Sequence, residues 1–480
     1  MDRPNEVVSR RLFLEQSAAW GVGLAGFGLL ARAGSAQPLL SDAPNNALGL
    51  GPLVPDPTGR LDLPEGFSYT VLSRTGQLMA DGFLVPGRPD GMWAFPGPDD
   101  DTCILIRNHE NENQWPHFSP FGKNRERLGK LNRDLAYDIS PNMPCLGGTT
   151  TVLFDLRNHR LKGQFLSLAG TVRNCAGGPT PWGTWITCEE DASRPGDNGC
   201  REYHGYAFEV APQTNVGLCK AEPIKAMGRF VREAVCVDPR TGIVYQTEDR
   251  EDGLIYRYVP KEPGNLLAGG KLQALALRQQ KEADTRNWPF LPSVYRIPVG
   301  EPILVQWIDL TDPDPKEDAL RVNGVNLGAA IFARGEGMVW ADDAQGGAAY
   351  FICTLGGKSG KGQVWRYRPS PFEGTTQEES DPGILELFAE PNDPNVIDMP
   401  DNVCVAPWGD LMVCTDNEEG SDYLAGITPD GHFYKFAHNR KTDSEFAGVC
   451  FSPDGSTLFV NLQDEGETLA IWGPWKGRNR

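Results

Sequence analysis

Short runs of apolar residues, each followed by a tight turn and a second apolar run, recur along the chain. In the clearest copy, Glu233–Asp249, an acidic residue precedes the run Ala234–Val237, and Asp-Pro-Arg-Thr-Gly separates it from a second run that ends in acidic residues. The other copies are Asp401–Asn417, Glu445–Gln463 and three less regular ones that begin at Asp90, Cys175 and Glu336. Each copy is typical of two short β-strands joined by a turn.

Six such units at irregular spacings predict an all-β fold, a β-propeller of about six blades with irregular insertions. Two or three stacked β-sandwiches are the alternative. The 55 Gly and 39 Pro residues among 480 agree with either fold, because they interrupt the chain too often for long helices. We expect the propeller to occupy residues 61–480, after an N-terminal linker at residues 37–60.

Residues 1–36 have the pattern of an export signal. The pair Arg10-Arg11 is followed by an apolar stretch from Ala18 to Leu30 and by small residues at 33–36. This order predicts a signal peptide read by the twin-arginine translocation machinery and a periplasmic or secreted protein. The apolar stretch is shorter than the roughly 20 residues of a membrane-spanning helix, so we expect no stable membrane anchor. A cytosolic protein with a basic N-terminal segment is the alternative.

Charge and cysteine content change this picture in two ways. With 45 Lys and Arg against 64 Asp and Glu, the net charge of −19 argues against a nucleic-acid partner and favours divalent cations. The 11 cysteines are an odd number, so at least one thiol of an exported protein is free or binds a ligand.

The cysteines divide by their surroundings. Five lie within apolar strands, where a thiol acts as a small apolar side chain, namely Cys236, Cys353, Cys404, Cys414 and Cys450. Cys188 and Cys200 could form a disulfide. Cys175 instead precedes Ala-Gly-Gly with no apolar strand around it, which makes it the best ligand candidate.

The acidic residues predict a metal site on the propeller axis. The innermost strand of each blade lines the central channel, so the first residues of the six units converge there: Asp90, Cys175, Glu233, Glu336, Asp401 and Glu445. The second strands add Glu110, Glu190, Glu248, Asp249 and Asp416. So many like charges require cations, since they otherwise raise one another's pKa. Carboxylates suit Ca²⁺ or Mg²⁺, and a thiolate indicates iron or zinc. Acids that merely face solvent are the alternative.

Arginines accompany these acids. Arg232 precedes Glu233, Arg334 lies two residues before Glu336, and Arg173 and Arg107 lie close to Cys175 and Glu110. Arginine beside a polyvalent metal is suited to binding a phosphoryl group, although each of these arginines taken alone is more typical of a salt-bridge partner. Arg334 is the best candidate, because the glycines on either side of Glu336 open the backbone there.

Several motifs resemble the PhoX-type alkaline phosphatases, over a region from about residue 60 to the end. The longest match is Arg173-Asn174-Cys175-Ala176-Gly177-Gly178 with the following Pro-Thr-Pro-Trp-Gly-Thr-Trp. Shorter ones are Asn108-His109-Glu110, Gly147-Gly148-Thr149-Thr150, Gly228-Arg229-Phe230 with Glu233-Ala234, Arg334-Gly335-Glu336-Gly337 and Pro400-Asp401-Asn402.

The resemblance implies a secreted, monomeric propeller phosphatase that releases inorganic phosphate from small phosphomonoesters. It implies a site with two Fe³⁺ ions, several Ca²⁺ ions and a cysteine thiolate on iron. The residues it assigns to metal are Cys175, Glu233, Glu336, Glu110, Glu190, Asp249 and Asp401. It assigns substrate binding to Arg334, Asn174 and Arg232, and catalysis to Arg334, Cys175 and Glu336. Arg232 stands where the family pattern has a His.

Two other functions remain open at this stage. A propeller hydrolase that uses calcium to act on lactones or phosphotriesters would also need axial carboxylates, but it leaves Cys175 unexplained. A non-catalytic exported scaffold explains the fold and the signal, but not the convergence of acids.

Overall fold

The computed structural model describes residues 50–140, 144–290, 296–343, 345–417 and 422–475. The predicted signal peptide, 1–36, and the first part of the predicted linker lie outside these residues. Within them, no helix is both long and apolar enough to cross a membrane.

Three strands open the described chain: β1 (Leu53–Val54), β2 (Leu61–Pro64) and β3 (Ser68–Arg74). Strand β1 pairs with β2, so the last residues of the predicted linker add an edge strand to the fold.

Two antiparallel sheets follow. The first has four strands, β4 (Pro89–Pro96), β5 (Thr102–His109), β6 (Gly147–Asp155) and β7 (Arg160–Thr171). The second has three strands, β8 (Asn174–Pro179), β9 (Trp185–Glu189) and β10 (Ala207–Val210).

The middle of the chain forms one nine-stranded sheet. Its first half contains β11 (Arg232–Val237), β12 (Val244–Glu248), β13 (Ile255–Pro260), β14 (Gly270–Leu277) and β15 (Ile303–Leu310). Helix α1 (Leu320–Leu327) leads to the second half, β16 (Gly335–Ala341), β17 (Ala348–Cys353), β18 (Gln363–Arg368) and β19 (Ile384–Ala389). The two halves join where β15 pairs with β19.

The last two sheets take strands from both ends of the described chain. Strands β20 (Pro400–Val405), β21 (Leu411–Thr415), β22 (Tyr423–Ile427) and β23 (Phe433–Asn439) are extended by β2 and β1. Strands β24 (Phe446–Phe451), β25 (Thr457–Leu462) and β26 (Glu467–Trp472) are completed by β3. The circle therefore closes by pairing an N-terminal strand with a C-terminal one.

The first strands of the six predicted units contact one another in cyclic order, β4, β8, β11, β16, β20, β24 and back to β4. This closed ring confirms the all-β propeller, and the stacked sandwiches are not seen. The number of separate sheets differs from the six blades predicted, because the described residues form five sheets and one of them contains two of the units.

Apolar side chains between the sheets form the core. The five cysteines predicted to be core residues are at most 1% exposed and lie in apolar clusters. The predicted turns also form: the N–H of Gly242 donates to the carbonyl of Asp238 at 2.8 Å, and that of Gly455 to the carbonyl of Ser452 at 2.8 Å.

Candidate metal centre

Each of the six inner strands carries the same irregularity. The pairing with the second strand shifts by one residue between Pro89 and Met92, Asn174 and Gly177, Arg232 and Val235, Gly335 and Met338, Pro400 and Val403, and Ala447 and Cys450. A β-bulge of this kind bends the strand and redirects a side chain. Its repetition around the ring gives six equivalent positions near the axis.

Five of the six bulge positions hold a potential metal ligand: Asp90, Cys175, Glu233, Glu336 and Asp401. The sixth is Gly448, which corrects the prediction that Glu445 is the equivalent residue of β24. Gly448 has a φ of +64°, and a Cβ added there would overlap the carbonyl oxygen of Asp90. A side chain is therefore excluded at this position, and Glu445 lies three residues earlier, 3.7 Å from Nη2 of Arg88.

The ligand atoms of these residues lie close together in overlapping groups. Within each group they are no more than 4.8 Å apart, and the groups are Asp90, Glu110 and Cys175; Cys175, Glu190 and Glu233; and Glu233, Glu336 and Asp401. The Cys175 thiol lies 3.5 Å from Oδ2 of Asp90. One chain of ligands thus runs across the axis from Glu110 to Asp401.

The second strands contribute three of their five predicted acids. Glu110 and Glu190 belong to these groups, and burial together with the nearby carboxylate of Asp249 raises the pKa of Glu336 well above its ordinary value. We call the seven carboxylates and one thiol the axial cluster: Asp90, Glu110, Cys175, Glu190, Glu233, Asp249, Glu336 and Asp401. All eight residues are between 0% and 9% exposed.

The other two second-strand acids are outside the three groups. Glu248 is turned away from the axis, where its Oε2 accepts hydrogen bonds from the hydroxyl of Tyr256 at 2.7 Å and the N–H of Leu254 at 3.1 Å. Asp416 is half-buried and belongs to none of the three groups, but it lies beside them, since its carboxylate contributes to the raised pKa of Asp401.

Three arginines surround the axial cluster. Arg88 and Arg173 both contact Glu110, at 2.9 and 2.5 Å, and Arg173 also contacts Glu190 at 2.8 Å. Arg334 contacts Asp249 through Nε and Nη2, both at 2.6 Å, and Glu336 at 2.8 Å. Their side chains are more exposed than those of the acids, at 20%, 31% and 12%, so the guanidinium groups lie nearer the surface than the carboxylates. We call Arg88, Arg173 and Arg334 the arginine rim.

The rim arginines share a backbone conformation. Arg88, Arg173 and Arg334 have φ values of 44°, 45° and 55°, in the left-handed region that costs energy for any residue with a side chain. Each of them lies two residues before a residue of the axial cluster, namely Asp90, Cys175 or Glu336. The strain accompanies the bulge and directs each guanidinium to the same mouth.

The electrostatics of the cluster call for additional positive charge. Both carboxylate oxygens of Glu233 and Oδ1 of Asp90 are buried without a hydrogen-bond donor. Burial raises the pKa of Glu233 well above its ordinary value, and Glu336 and Glu190 raise it further. Burial, Asp90 and Glu233 likewise raise the pKa of the Cys175 thiol.

Glu110 behaves differently because arginines flank it. Burial alone would raise its pKa, but Arg88 and Arg173 outweigh this effect and lower it to about 2. Seven buried carboxylates nevertheless face only three guanidinium groups, and Arg88 also contacts Glu445 and Asp464, so acidic groups outnumber basic ones among the described residues here. Cations would neutralise these charges and occupy the unpartnered oxygens.

Two residues predicted to bind substrate do not face this site. The guanidinium of Arg232 donates to Gln246 at 2.9 Å and to the carbonyls of Gly205, Met227 and Gly228 at 2.6–3.0 Å. The side-chain amide of Asn174 accepts from Thr171 at 2.5 Å and donates to Thr187 at 3.0 Å. Both side chains are fully buried, so the structure places them in the packing between strands and corrects the prediction.

Two further predictions from neighbouring residues are corrected. Arg107 does not contact Glu110, and its guanidinium donates, within the described part of the chain, to the hydroxyls of Thr150 and Thr468. Cys200 lies beside Cys145, with their sulfurs 3.9 Å apart, whereas Cys188 is buried in an apolar cluster of its own sheet. The disulfide that Cys188 and Cys200 could have formed is therefore not present, and both thiols are free.

Sequence reasoning missed two residues of the site. Arg88 belongs to the rim, and its position two residues before Asp90 repeats the spacing of Arg173 before Cys175 and of Arg334 before Glu336. That repeated spacing is a signal that could have found it. The amide of Gln463 bridges Asp90 and Glu110, at 2.7 and 3.0 Å, and no local pattern indicates this role.

The closed ring of inner strands and the buried carboxylate–thiol cluster on its axis define this chain as a β-propeller with a candidate metal centre. The sequence profile described as Alkaline phosphatase PhoX matches residues 48–154 and 153–466. The chain therefore belongs to the PhoX alkaline phosphatase family, which confirms the resemblance carried by the motifs.

Solved structures show more distant similarity. A gluconolactonase from Xanthomonas campestris aligns over 88% of this chain and 98% of its own, with 11% identity and a TM-score of 0.35. An auxiliary nutrient binding protein from Bacteroides ovatus aligns over 85% of this chain and 78% of its own, with 11% identity and a TM-score of 0.39. No curated protein sequence is significantly similar to the chain.

Proposed function

We propose that this protein is an exported phosphatase that hydrolyses phosphomonoesters and releases inorganic phosphate, with iron and calcium ions held by the axial cluster. Membership of the PhoX family supports the reaction class. The observation that carries the metal assignment is Glu233, whose two carboxylate oxygens are buried in the centre of the cluster with no donor from the protein.

The donor atoms of the cluster fit such ions. Hard carboxylate oxygens in excess are the ligands calcium prefers, and a single thiolate among them suits iron better than calcium. We assign Cys175 to iron, with Glu233, which shares a group with it, and Glu336, which shares the next group with Glu233. The remaining carboxylates, Asp90, Glu110, Glu190, Asp249 and Asp401, would complete the coordination. When bound, the ions would supply the Lewis acidity and positive charge that phosphoryl transfer requires.

The arginine rim would bind the phosphate group of the substrate. Arg334 is the main candidate, since two of its nitrogens are fixed by Asp249 and Glu336 while Nη1 has no hydrogen-bond partner among the described residues. A guanidinium held in this way is oriented in advance and can donate to a phosphate oxygen in which negative charge develops. Arg88 and Arg173 keep Glu110 ionised, as its lowered pKa shows.

Export and organisation are part of the same proposal. The pair Arg10-Arg11 and the apolar stretch behind it support export by the twin-arginine machinery to the periplasm or the medium, with residues 1–36 as signal, 37–60 as linker and 61–480 as catalytic domain. We propose that the mature protein works as a monomer on small phosphate esters and, given the net charge of −19 of the full chain, does not bind nucleic acid.

The test compares substrates and variants of the full chain. The wild-type protein should hydrolyse p-nitrophenyl phosphate and leave a simple lactone intact. Cys175→Ala should lose this activity, whereas Cys404→Ala, which removes a thiol from the apolar core, should retain it. Lactone hydrolysis without phosphomonoester hydrolysis, or full activity in Cys175→Ala, would overturn the proposal.

A further inference from the structure

A second group of metal-ligating side chains lies outside the axial cluster. Asp138, Cys145, Cys200 and His204 come from the connection between β5 and β6 and from the connection between β9 and β10. All four are buried, at 0–3% exposed, and one potential ligand atom of each lies within 4.8 Å of the others.

Their spacing matches a tetrahedral site. Zinc with Zn–S of about 2.3 Å and Zn–N or Zn–O of about 2.0–2.1 Å sets the ligand atoms about 3.8 Å (S to S), 3.6 Å (S to N) and 3.4 Å (N to O) apart. The structure gives 3.9 Å between the sulfurs of Cys145 and Cys200, and 3.8 Å from Cys145 Sγ to His204 Nε2. It gives 3.4 Å from His204 Nε2 to Asp138 Oδ2. These three distances therefore agree to within about 0.2 Å with those between ligands of one such ion.

The residues around the group orient it as they do in metal sites. The other ring nitrogen of His204, Nδ1, lies 2.6 Å from Oε1 of Glu189, which directs Nε2 into the group. A carboxylate behind a ligating histidine is the usual outer partner in zinc proteins. The amide of Asn113 donates to the sulfurs of Cys145 and Cys200 at 3.4 and 3.5 Å, as a donor to two thiolates would.

We propose that Asp138, Cys145, Cys200 and His204 bind one divalent metal ion of the zinc class in a closed, tetrahedral, structural site. Four protein ligands leave no open position for substrate, so the ion would stabilise the fold rather than act in catalysis. A disulfide between Cys145 and Cys200 is the competing outcome for an exported protein.

The proposed metal would link two connections that also carry residues of the axial cluster. It would fasten the connection after β5, which begins with Glu110, to the connection after β9, which begins with Glu190. The adjacent residues Glu189 and Glu190 face different sites, since Glu189 contacts His204 and Glu190 belongs to the axial cluster. The metal would thereby help to fix the positions of Glu110 and Glu190 in the axial cluster.

The first experiment measures zinc, iron and calcium in the purified full chain by plasma mass spectrometry. We expect about one zinc-class ion per chain, which Cys175→Ala retains and Cys200→Ala loses. Cys188→Ala is the matched control, because it removes a buried thiol of strand β9 that lies outside the group, and it should retain the ion.

The second experiment does not depend on the folding of Cys200→Ala. The Cys175→Ala protein, produced in cobalt-supplemented medium, should show the intense thiolate-to-cobalt and tetrahedral ligand-field absorption bands, since Cys145 and Cys200 are then the assigned thiolate ligands. Absence of a zinc-class ion and of these bands, or a Cys145–Cys200 disulfide found by peptide mapping without reductant, would overturn the proposal.

Discussion

Replacing Glu233 by Gln tests whether the axial carboxylates are buried in order to hold cations. The change keeps the size of the side chain and removes one negative charge from the centre of the cluster. With metals bound, the variant loses a charged ligand. Without metals, the buried Glu233 carboxylate of the wild type has no hydrogen-bond donor, which costs free energy. The neutral amide of Glu233→Gln avoids the cost of burying an unpaired charge.

The size of the effect follows from the burial of Glu233, which is 0% exposed. Leaving one partner of a buried charge pair uncompensated costs about 3–5 kcal/mol. An unfolding entropy of about 2.1 cal/mol/K per residue over roughly 400 residues gives about 0.8 kcal/mol/K, so the midpoint moves by about 4–6 °C. A strong chelator should therefore lower the wild-type midpoint by about 4–6 °C more than that of Glu233→Gln.

The assay is scanning calorimetry with and without chelator, with metal content checked on the same samples. Glu373→Gln is the matched control, because Glu373 is equally buried but bonds to Arg257, Tyr245 and Tyr367 outside the axial cluster. It should lower the midpoint by the same amount with and without chelator. An identical chelator response in the wild type and Glu233→Gln would refute the reasoning.

Three further predictions concern single residues. Arg334→Lys keeps the positive charge and loses the planar guanidinium with its several N–H donors. KM for p-nitrophenyl phosphate should therefore rise about 10-fold or more, which corresponds to ~1.4 kcal/mol or more of lost binding, with metal content unchanged. An unchanged KM would contradict the assigned role. Arg232→Met should lower the unfolding midpoint by about 4–6 °C because it leaves buried acceptors without a donor, yet KM should stay the same, and a raised KM would restore the substrate-binding prediction. Burial raises the pKa of Asp422 to about 7 from 3.8, so its stabilising contribution is present in acid and is lost as pH rises through 7. Between pH 6 and pH 8, the free energy of unfolding measured in urea should fall by about 1 kcal/mol more in the wild type than in Asp422→Asn. An equal fall in both proteins would argue against the raised pKa.

The fold and the position of five residues of the axial cluster could be predicted because a polar residue at the start of an apolar strand interrupts a regular pattern. The bulge could not be predicted, since it depends on how two strands pair. It places Gly448 rather than Glu445 at the sixth position.

The errors at Arg232 and Glu248 have one physical cause. Successive side chains of a strand point to opposite faces, so the neighbour of an axial residue is directed away from the axis. A residue directly adjacent to Glu233 or Asp249 in the sequence is therefore expected to face away from their site. Cys145 and Cys200 are 55 residues apart in the chain, and only the fold brings them together.

The most direct test of the central claim is the iron and calcium content of the exported wild-type protein and of Cys175→Ala, measured by plasma mass spectrometry on samples assayed with p-nitrophenyl phosphate. We predict about two iron and several calcium ions per wild-type chain, with iron and activity lost together in the variant. Calcium without iron in the wild type, or unchanged iron and turnover in Cys175→Ala, would contradict the account.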